Sequence, residues 1–400
     1  MNNSQIFDTF FDPFLTTNSK FKMDYDNIYL NHSKFDMEID TKSETIIKTI
    51  LDKMLKSFVK EINIKLVKPT NLKDLQDIFI NFDRELNMVN NSRFQKNIKN
   101  TDTIYTFNLN INNDNIKINF LFNSSQKIDG YISAILHALH TFCYLFPYNY
   151  NNLTINISLD DNYRDLDYYK SYNNYNDIFN YLHQKSLAFN VSGVTNRFDK
   201  TILLTKNEEI IKLMYHELIH FIGLDHELLH TPIIFTWAIK NNKLNLSETY
   251  TEFIAIILNS MYQSIHLASL KKEIKYYDLF KKIIFLEYNY SLYLTSSILK
   301  FYGYNVDTFI NFFNNIGEKK FSPILTWEYI ILRTQLFLNW DKLFNIVGNN
   351  WQVTQYNKNN IVELTKIDDN FLNKIHYFME HTNSIENISY TMVDFNWNLI

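Results

Sequence analysis

The amino-acid sequence predicts an α+β fold in which strands and helices mix in the first half of the chain and helices dominate the second. Two segments of alternating polarity, 103–111 and 115–122, flank an Asn-Asn-Asp turn and indicate a β-hairpin. Segment 206–222 has apolar residues at helical spacing around the motif His-Glu-Leu-Ile-His. After residue 240 nearly every segment has helical periodicity, which predicts a mainly helical C-terminal part.

The expected elements divide the chain into three parts. Residues 1–125 form an N-terminal α/β region of unknown role, residues 126–268 the core with the motif helix, and residues 269–400 a helical C-terminal subdomain. The N-terminal part is expected to hold a helix at 44–60, a strand at 62–67, a helix at 72–86 and the two hairpin strands. The core is expected to hold a helix at 131–145, a strand at 153–159, a polar stretch at 160–176, a helix at 177–187, a strand at 201–205 and the motif helix, with a further helix at 247–267. The C-terminal candidates are helices at 270–288, 290–302, 306–314 and 323–338. Since no Gly-, Ser- or Pro-rich linker separates these parts, we expect them to pack as one body.

Composition excludes several classes of function. Of 400 residues, 46% are hydrophobic and 20% charged, which is typical of a globular chain. The net charge of −4 and the pI of about 6.3 favour neither nucleic acid nor an anionic membrane as a partner. We find no stretch of the roughly 20 apolar residues that a membrane span needs. We therefore expect no membrane association. The sequence does not indicate the oligomeric state.

Residue usage indicates the source and the compartment. Glycine occurs 6 times and proline 5 times, whereas residues with AT-rich codons are abundant, which is typical of AT-rich genomes such as those of large DNA viruses. Cys143 is the single cysteine, so no intrachain disulfide forms, and a reducing, cytoplasmic location is expected. We expect Cys143, His137 and His140 to lie in the core, on the apolar helix at 131–145.

The motif His216-Glu217-Leu218-Ile219-His220 carries the chemistry. Histidines four residues apart lie on one face of a helix, where both imidazoles reach one metal ion. A glutamate between them lies beside the metal and is placed to act as a general base. The helix is expected to be capped by Thr205 or Asn207 and to stop at Gly223.

A second His-Glu-x-x-His pattern follows at 226–230. Gly223 interrupts the helix before it, and Pro232 discourages continuation after it. We therefore predict a short helix or turn there and no second metal site of this type.

The first motif, together with the strands and helix before it, resembles the zincin zinc metallopeptidases. Their catalytic core is a small mixed sheet with a His-Glu-x-x-His helix, so a zincin-like core with one Zn²⁺ is what the resemblance implies. It also implies that Glu217 is the catalytic residue, acting on a metal-activated water, and that His216 and His220 are ligands.

Two candidates compete for the third ligand. Segment 216–226, HELIHFIGLDH, resembles the metzincin signature, which implies His226. Segment 246–255, LSETYTEFIA, resembles the second zinc helix of the gluzincins, which implies Glu248 as ligand and Glu252 as a supporting carboxylate. We favour Glu248, because a carboxylate four residues further on orients a liganding histidine, and keep His226 as the alternative. Residues 190–260 also resemble uncharacterised proteins of large DNA viruses with the same motif.

These residues predict a zinc-dependent metallopeptidase that hydrolyses peptide bonds of a peptide or protein substrate. An edge strand near the metal would align the substrate by main-chain hydrogen bonds, and Ser192, Gly193 and Val194 are the candidates. The alternative from another class is a non-catalytic zincin-fold protein whose metal is structural or whose cleft binds a partner.

Overall fold

The structure is a computed structural model of mixed α/β architecture, with a six-stranded mixed sheet and a mostly helical C-terminal part. It describes residues 39–85, 92–159, 192–206, 209–229, 233–234, 243–244, 246–270, 275–301, 303–314, 316, 325–381, 391 and 394–398. The predicted polar stretch at 160–176 and the predicted helix at 177–187 lie outside these residues.

The strands occur early in the chain and the helices dominate later. The strands are β1 (Ile64–Val67), β2 (Thr103–Ile111), β3 (Asp114–Phe122), β4 (Thr154–Ser158), β5 (Gly193–Asn196), β6 (Thr201–Leu204), β7 (Ile233–Ile234) and β8 (Lys243–Leu244). The first helices are α1 (Thr41–Phe58), α2 (Leu72–Glu85), α3 (Ser92–Asn100), α4 (Asp129–Leu145), α5 (Ile210–Ile222) and α6 (His226–Leu229). The later helices are α7 (Leu246–Leu270), α8 (Tyr276–Phe301), α9 (Phe309–Phe313), α10 (Leu325–Leu338), α11 (Trp340–Val347), α12 (Lys358–Leu364) and α13 (Asp369–His381).

The sheet has the order β1-β2-β3-β4-β6-β5. The predicted hairpin is confirmed: β2 and β3 pair antiparallel, and Asn112 and Asn113 form the turn with positive φ, as a tight hairpin requires. β3, β4 and β6 run parallel, whereas β5 turns back antiparallel to β6. Among the described residues β5 pairs on one side only, so it is an edge strand.

Hydrophobic cores lie on both faces of the sheet. The larger core joins one face, through residues such as Ile118 and Ile202, to α1, α4, α5 and the C-terminal helices. The smaller core joins the other face, through Leu121 and Leu203, to α2 and α3. Ile202 and its neighbour Leu203 lie in different cores because successive side chains of a strand point to opposite faces of the sheet.

Three local predictions were wrong or incomplete. The expected break at residue 289 is absent from α8, because Asn289 is buried and its amide donates to the Phe285 carbonyl one turn earlier within the helix. α3 was not predicted, since its sequence is mostly polar. The expected cap of α5 by Thr205 was wrong: the helix starts after Glu209, which has φ of 58°, and the Thr205 hydroxyl donates to the Ser192 carbonyl. The other expected cap, Asn207, lies outside the described residues.

Helix α7 is long and apolar enough to cross a membrane by length and composition. However, 78% of its most apolar stretch is buried within the structure, against α5, α8 and α10. Burial of this kind is typical of the central helix of a packed core, and α7 also carries two of the carboxylates described below.

The predicted boundaries do not coincide with gaps in the packing. β3 precedes residue 125 and β4 follows it, yet the two strands pair directly. The larger core also contains residues on both sides of residue 268. The division into 1–125, 126–268 and 269–400 therefore does not follow the packing. It stays a prediction about what each part of the chain does.

Candidate metal centre

Helix α5 holds the first motif in the interior of the protein. Nearly all of its residues are buried, because it packs against α4, α7 and the sheet. Gly223 ends the helix with φ of 72°, and its N–H donates to the carbonyls of Ile219 and His220. The predicted stop is thus confirmed, with the left-handed residue that such a helix end favours.

Three side chains converge where α5 faces the first turn of α7. The Nε2 atoms of His216 and His220 lie 3.1 Å apart. Oxygens of Glu248, in the first turn of α7, lie 3.2 Å from His216 Nε2 and 3.4 Å from His220 Nε2. Within the described part of the chain, these three residues form the group that is placed to hold a metal ion.

The separations suit a tetrahedral ion. An ion about 2.0–2.1 Å from each donor at tetrahedral angles places the donors about 3.3–3.4 Å apart. Two imidazole nitrogens and a carboxylate oxygen are donors that Zn²⁺ accepts, and such sites leave a further position for water. The Glu248 side chain is 35% exposed, so the centre has access to solvent.

Each imidazole is oriented by a carboxylate on its other nitrogen. His216 Nδ1 donates to Glu252 Oε2 at 3.0 Å, and His220 Nδ1 donates to Asp225 Oδ2 at 2.8 Å. Because carboxylates only accept, Nδ1 carries the proton in both rings, which leaves both Nε2 lone pairs for a metal when the rings are neutral. Asp225 is held in turn by the hydroxyl of Ser247.

Sequence reasoning missed Asp225 as a supporting residue. The turn at Gly223 brings the carboxylate of this aspartate back to His220, a contact that residue spacing alone does not indicate. The second motif forms the four-residue helix α6, as predicted, although His230 lies outside the described residues. His226 is exposed, and its Nδ1 lies 3.4 Å from the Arg197 guanidinium, apart from the three-residue group.

Glu252 is the centre of a buried charge cluster. Its Oε1 accepts from Lys212 at 2.7 Å and from Arg333 of α10 at 3.2 Å, and all three side chains are at most 2% exposed. Lys212 also contacts Glu209 at 3.1 Å. A buried carboxylate needs such compensation, because desolvation of an unpaired charge costs several kcal/mol.

Two later residues, Thr391 and Asp394, contact the start of α5 next to this cluster. The Thr391 N–H donates to Glu209, and the Thr391 hydroxyl donates to Glu287. The Glu209 N–H donates to Asp394. The start of α5 is thereby tied to residues nearly two hundred positions later.

The electrostatics follow from these contacts. Burial disfavours the imidazolium of His216, but hydrogen bonds to Glu248 and Glu252 outweigh it and raise the pKa of His216 to about 9. Burial opposes ionisation of Glu248 as well, yet its hydrogen bonds to His216 and His220 hold its pKa below the ordinary value. Burial raises the pKa of Glu217 despite the nearby histidines.

Glu217 lies on the side of α5 that faces β5. The Thr195 hydroxyl lies 2.8 Å from Glu217 Oε2, and a Cβ on Gly193 would lie 2.6 Å from Oε1. Of the predicted substrate residues, Gly193 and Val194 are on the edge strand, and Ser192 is buried just before it. The Val194 side chain packs into the smaller core, on the opposite face from Gly193.

The three residues of α4 that the sequence places in the core are buried or packed against core residues. Cys143 is buried, His140 is buried beside the Ser57 hydroxyl, and His137 packs against Phe58. The hydroxyl of Tyr250, on α7, is also buried and donates to the Trp351 carbonyl.

One comparison finds a relative of nearly the same length. The chain is 42% identical over 368 residues to uncharacterized protein R210 of Acanthamoeba polyphaga mimivirus, and the match covers 92% of this chain and 95% of the relative. The chain belongs to the family of this mimivirus protein. A relative in a giant DNA virus agrees with the viral origin that residue usage indicates. No family model matches the chain, and no solved structure matches it significantly.

We expect Arg333→Met to destabilise the fold by roughly 3 kcal/mol, since Glu252 then stays buried with less compensation. The matched control is Lys366→Met, which removes an exposed ion pair with Glu363 and should cost less than about 1 kcal/mol. Urea denaturation measures both. Equal effects would show that Arg333 contributes no more than a surface charge.

Metal retention distinguishes the two candidate third ligands. Glu248→Ala should lower Zn²⁺ affinity by at least about a hundredfold, because one of three donors is lost, whereas His226→Ala should leave it unchanged. Competition with a chromophoric chelator measures the affinity. Retention in the first variant and loss in the second would assign the ligand to His226.

Proposed function

We propose that the chain is a zinc-dependent metallopeptidase with a zincin-like core. The observation that carries the proposal is the triangle of His216, His220 and Glu248 donors beside the buried Glu217. His216, His220 and Glu248 would hold one Zn²⁺, with Glu252 and Asp225 orienting the imidazoles. When bound, the ion supplies Lewis acidity, which lowers the pKa of a water and polarises a carbonyl.

The chain's own residues account for proton transfer and substrate alignment. Glu217 takes a proton from the attacking water and passes it to the leaving amine. Its raised pKa suits this task, because a general base works best when its pKa lies near the working pH. The main chain of β5 offers an edge to which an extended peptide adds as a further strand.

The position of β5 in the fold supports the proposed alignment of a peptide substrate. In the sheet, β5 is antiparallel to its neighbour and lies against the helix that carries Glu217. A peptide or protein is the expected substrate, and the single buried cysteine fits a reducing, cytoplasmic setting.

Glu217→Gln tests the reaction directly. The amide keeps the shape but accepts no proton, so hydrolysis of a fluorogenic peptide library should fall by roughly 100-fold or more. Zinc content, measured by atomic absorption, should stay at the wild-type level. Zinc binding by a wild type that cleaves no peptide would favour the non-catalytic alternative.

Zn²⁺ affinity should rise with pH. A proton and the ion compete for the same Nε2 atoms, and the raised pKa means that His216 in the metal-free protein keeps its proton up to about pH 9. Affinity should therefore increase about tenfold per pH unit for each displaced proton, and level off once both imidazoles of the metal-free protein have lost that proton. Chelator competition at stepped pH measures it, and a flat profile would contradict histidine ligation.

A further inference from the structure

Gly193 and Thr195 lie on the same face of β5 and enclose the Glu217 carboxylate. They are two residues apart on a strand whose register is set by pairing of Gly193 with Leu204 and of Thr195 with Ile202. The Thr195 hydroxyl lies 2.8 Å from Glu217 Oε2 and 2.9 Å from the Glu217 carbonyl oxygen. One hydroxyl therefore bridges the side chain and the backbone of the same residue.

Gly193 provides the space for the other half of the carboxylate. A Cβ at this position would lie 2.6 Å from Oε1 and 2.9 Å from Cγ of Glu217. The backbone of Gly193 is not in the left-handed region, so its conformation is open to alanine. The close approach of Glu217, and not backbone strain, is what requires glycine here.

The two oxygens of Glu217 thus have different surroundings. Oε2 accepts from Thr195, which makes this oxygen the weaker base. Oε1 packs against the backbone of Gly193, at the place where a side chain would otherwise lie.

We propose that Thr195 and Gly193 are positioning residues that hold the Glu217 carboxylate in one conformation for proton transfer. This inference rests on the proposed function and assigns two further residues to its site. A carboxylate fixed in advance needs no reordering during proton transfer, and displacement of a catalytic group by about 1 Å costs on the order of 100-fold in rate. Since both side-chain positions face Glu217, the strand is left to contact substrate through its main chain.

Thr195→Val is the decisive variant, because it removes the hydroxyl and keeps the shape. We expect kcat on a peptide chosen from the fluorogenic library to fall by about 10- to 100-fold, with KM and zinc content unchanged. Thr195→Ser, which keeps the hydroxyl, should restore most of kcat. The matched control is Thr201→Val on the neighbouring strand, whose hydroxyl contacts the Asp199 carbonyl; this variant should have wild-type kcat.

A crystal structure of Thr195→Val provides a readout that does not depend on activity. We expect the Glu217 side chain to adopt a different or mixed conformation there, and Gly193→Ala to displace it from β5. An unchanged Glu217 conformation in both variants, or an unchanged kcat in Thr195→Val, overturns the inference. Failure of the wild type to cleave any peptide overturns the proposed function alone, since the crystal structures still decide the position of Glu217.

Discussion

The buried carboxylate of Glu252 is the constraint on which the candidate site depends. An unpaired charge in this interior would be too costly, so Lys212, Arg333 and His216 must all approach it. These partners come from α5 and α10, whereas Glu252 itself is on α7. Compensation of one charge thereby fixes the mutual position of three helices and the orientation of one imidazole.

Helix α7 supplies more of the site than its apolar composition indicates. Glu248 in its first turn faces both histidines, and Glu252 one turn later supports His216. Ser247 holds Asp225, which supports His220. The same helix thus acts on each imidazole from two directions, and a shift of α7 relative to α5 would disturb the donor triangle and its supports together.

The features predicted from sequence are those that local spacing determines. The hairpin, the end of α5 at Gly223 and the common face of His216 and His220 depend on residues a few positions apart. The spacing of Glu248 and Glu252 places both carboxylates on the face of α7 that contacts the histidines, for the same reason. The break at Asn289 was expected because of its polarity, whereas its side-chain NH2 group donates to a carbonyl one turn earlier in the same helix.

The features that sequence did not predict are contacts between distant segments. Arg333 is 81 residues from Glu252, and a buried arginine in an apolar helix carries no local signal of its partner. Thr195 is 22 residues from Glu217, and the two side chains meet because β5 turns back antiparallel beside α5. Composition and periodicity describe how each segment folds, and not which charged group will meet another across the core.

The distance along the chain between these partners has a consequence for biosynthesis. The motif helix emerges from the ribosome well before Arg333, and Asp394, which binds the start of that helix, lies 185 residues after Glu209. Until translation reaches those residues, Glu252 lacks one of its cations and the helix start lacks its anchor. Because folding begins during synthesis, the nascent chain is expected to hold the donor triangle loosely until Arg333 and Asp394 have both been made. Assembly of the centre, including capture of any metal, would then wait for these two distant residues.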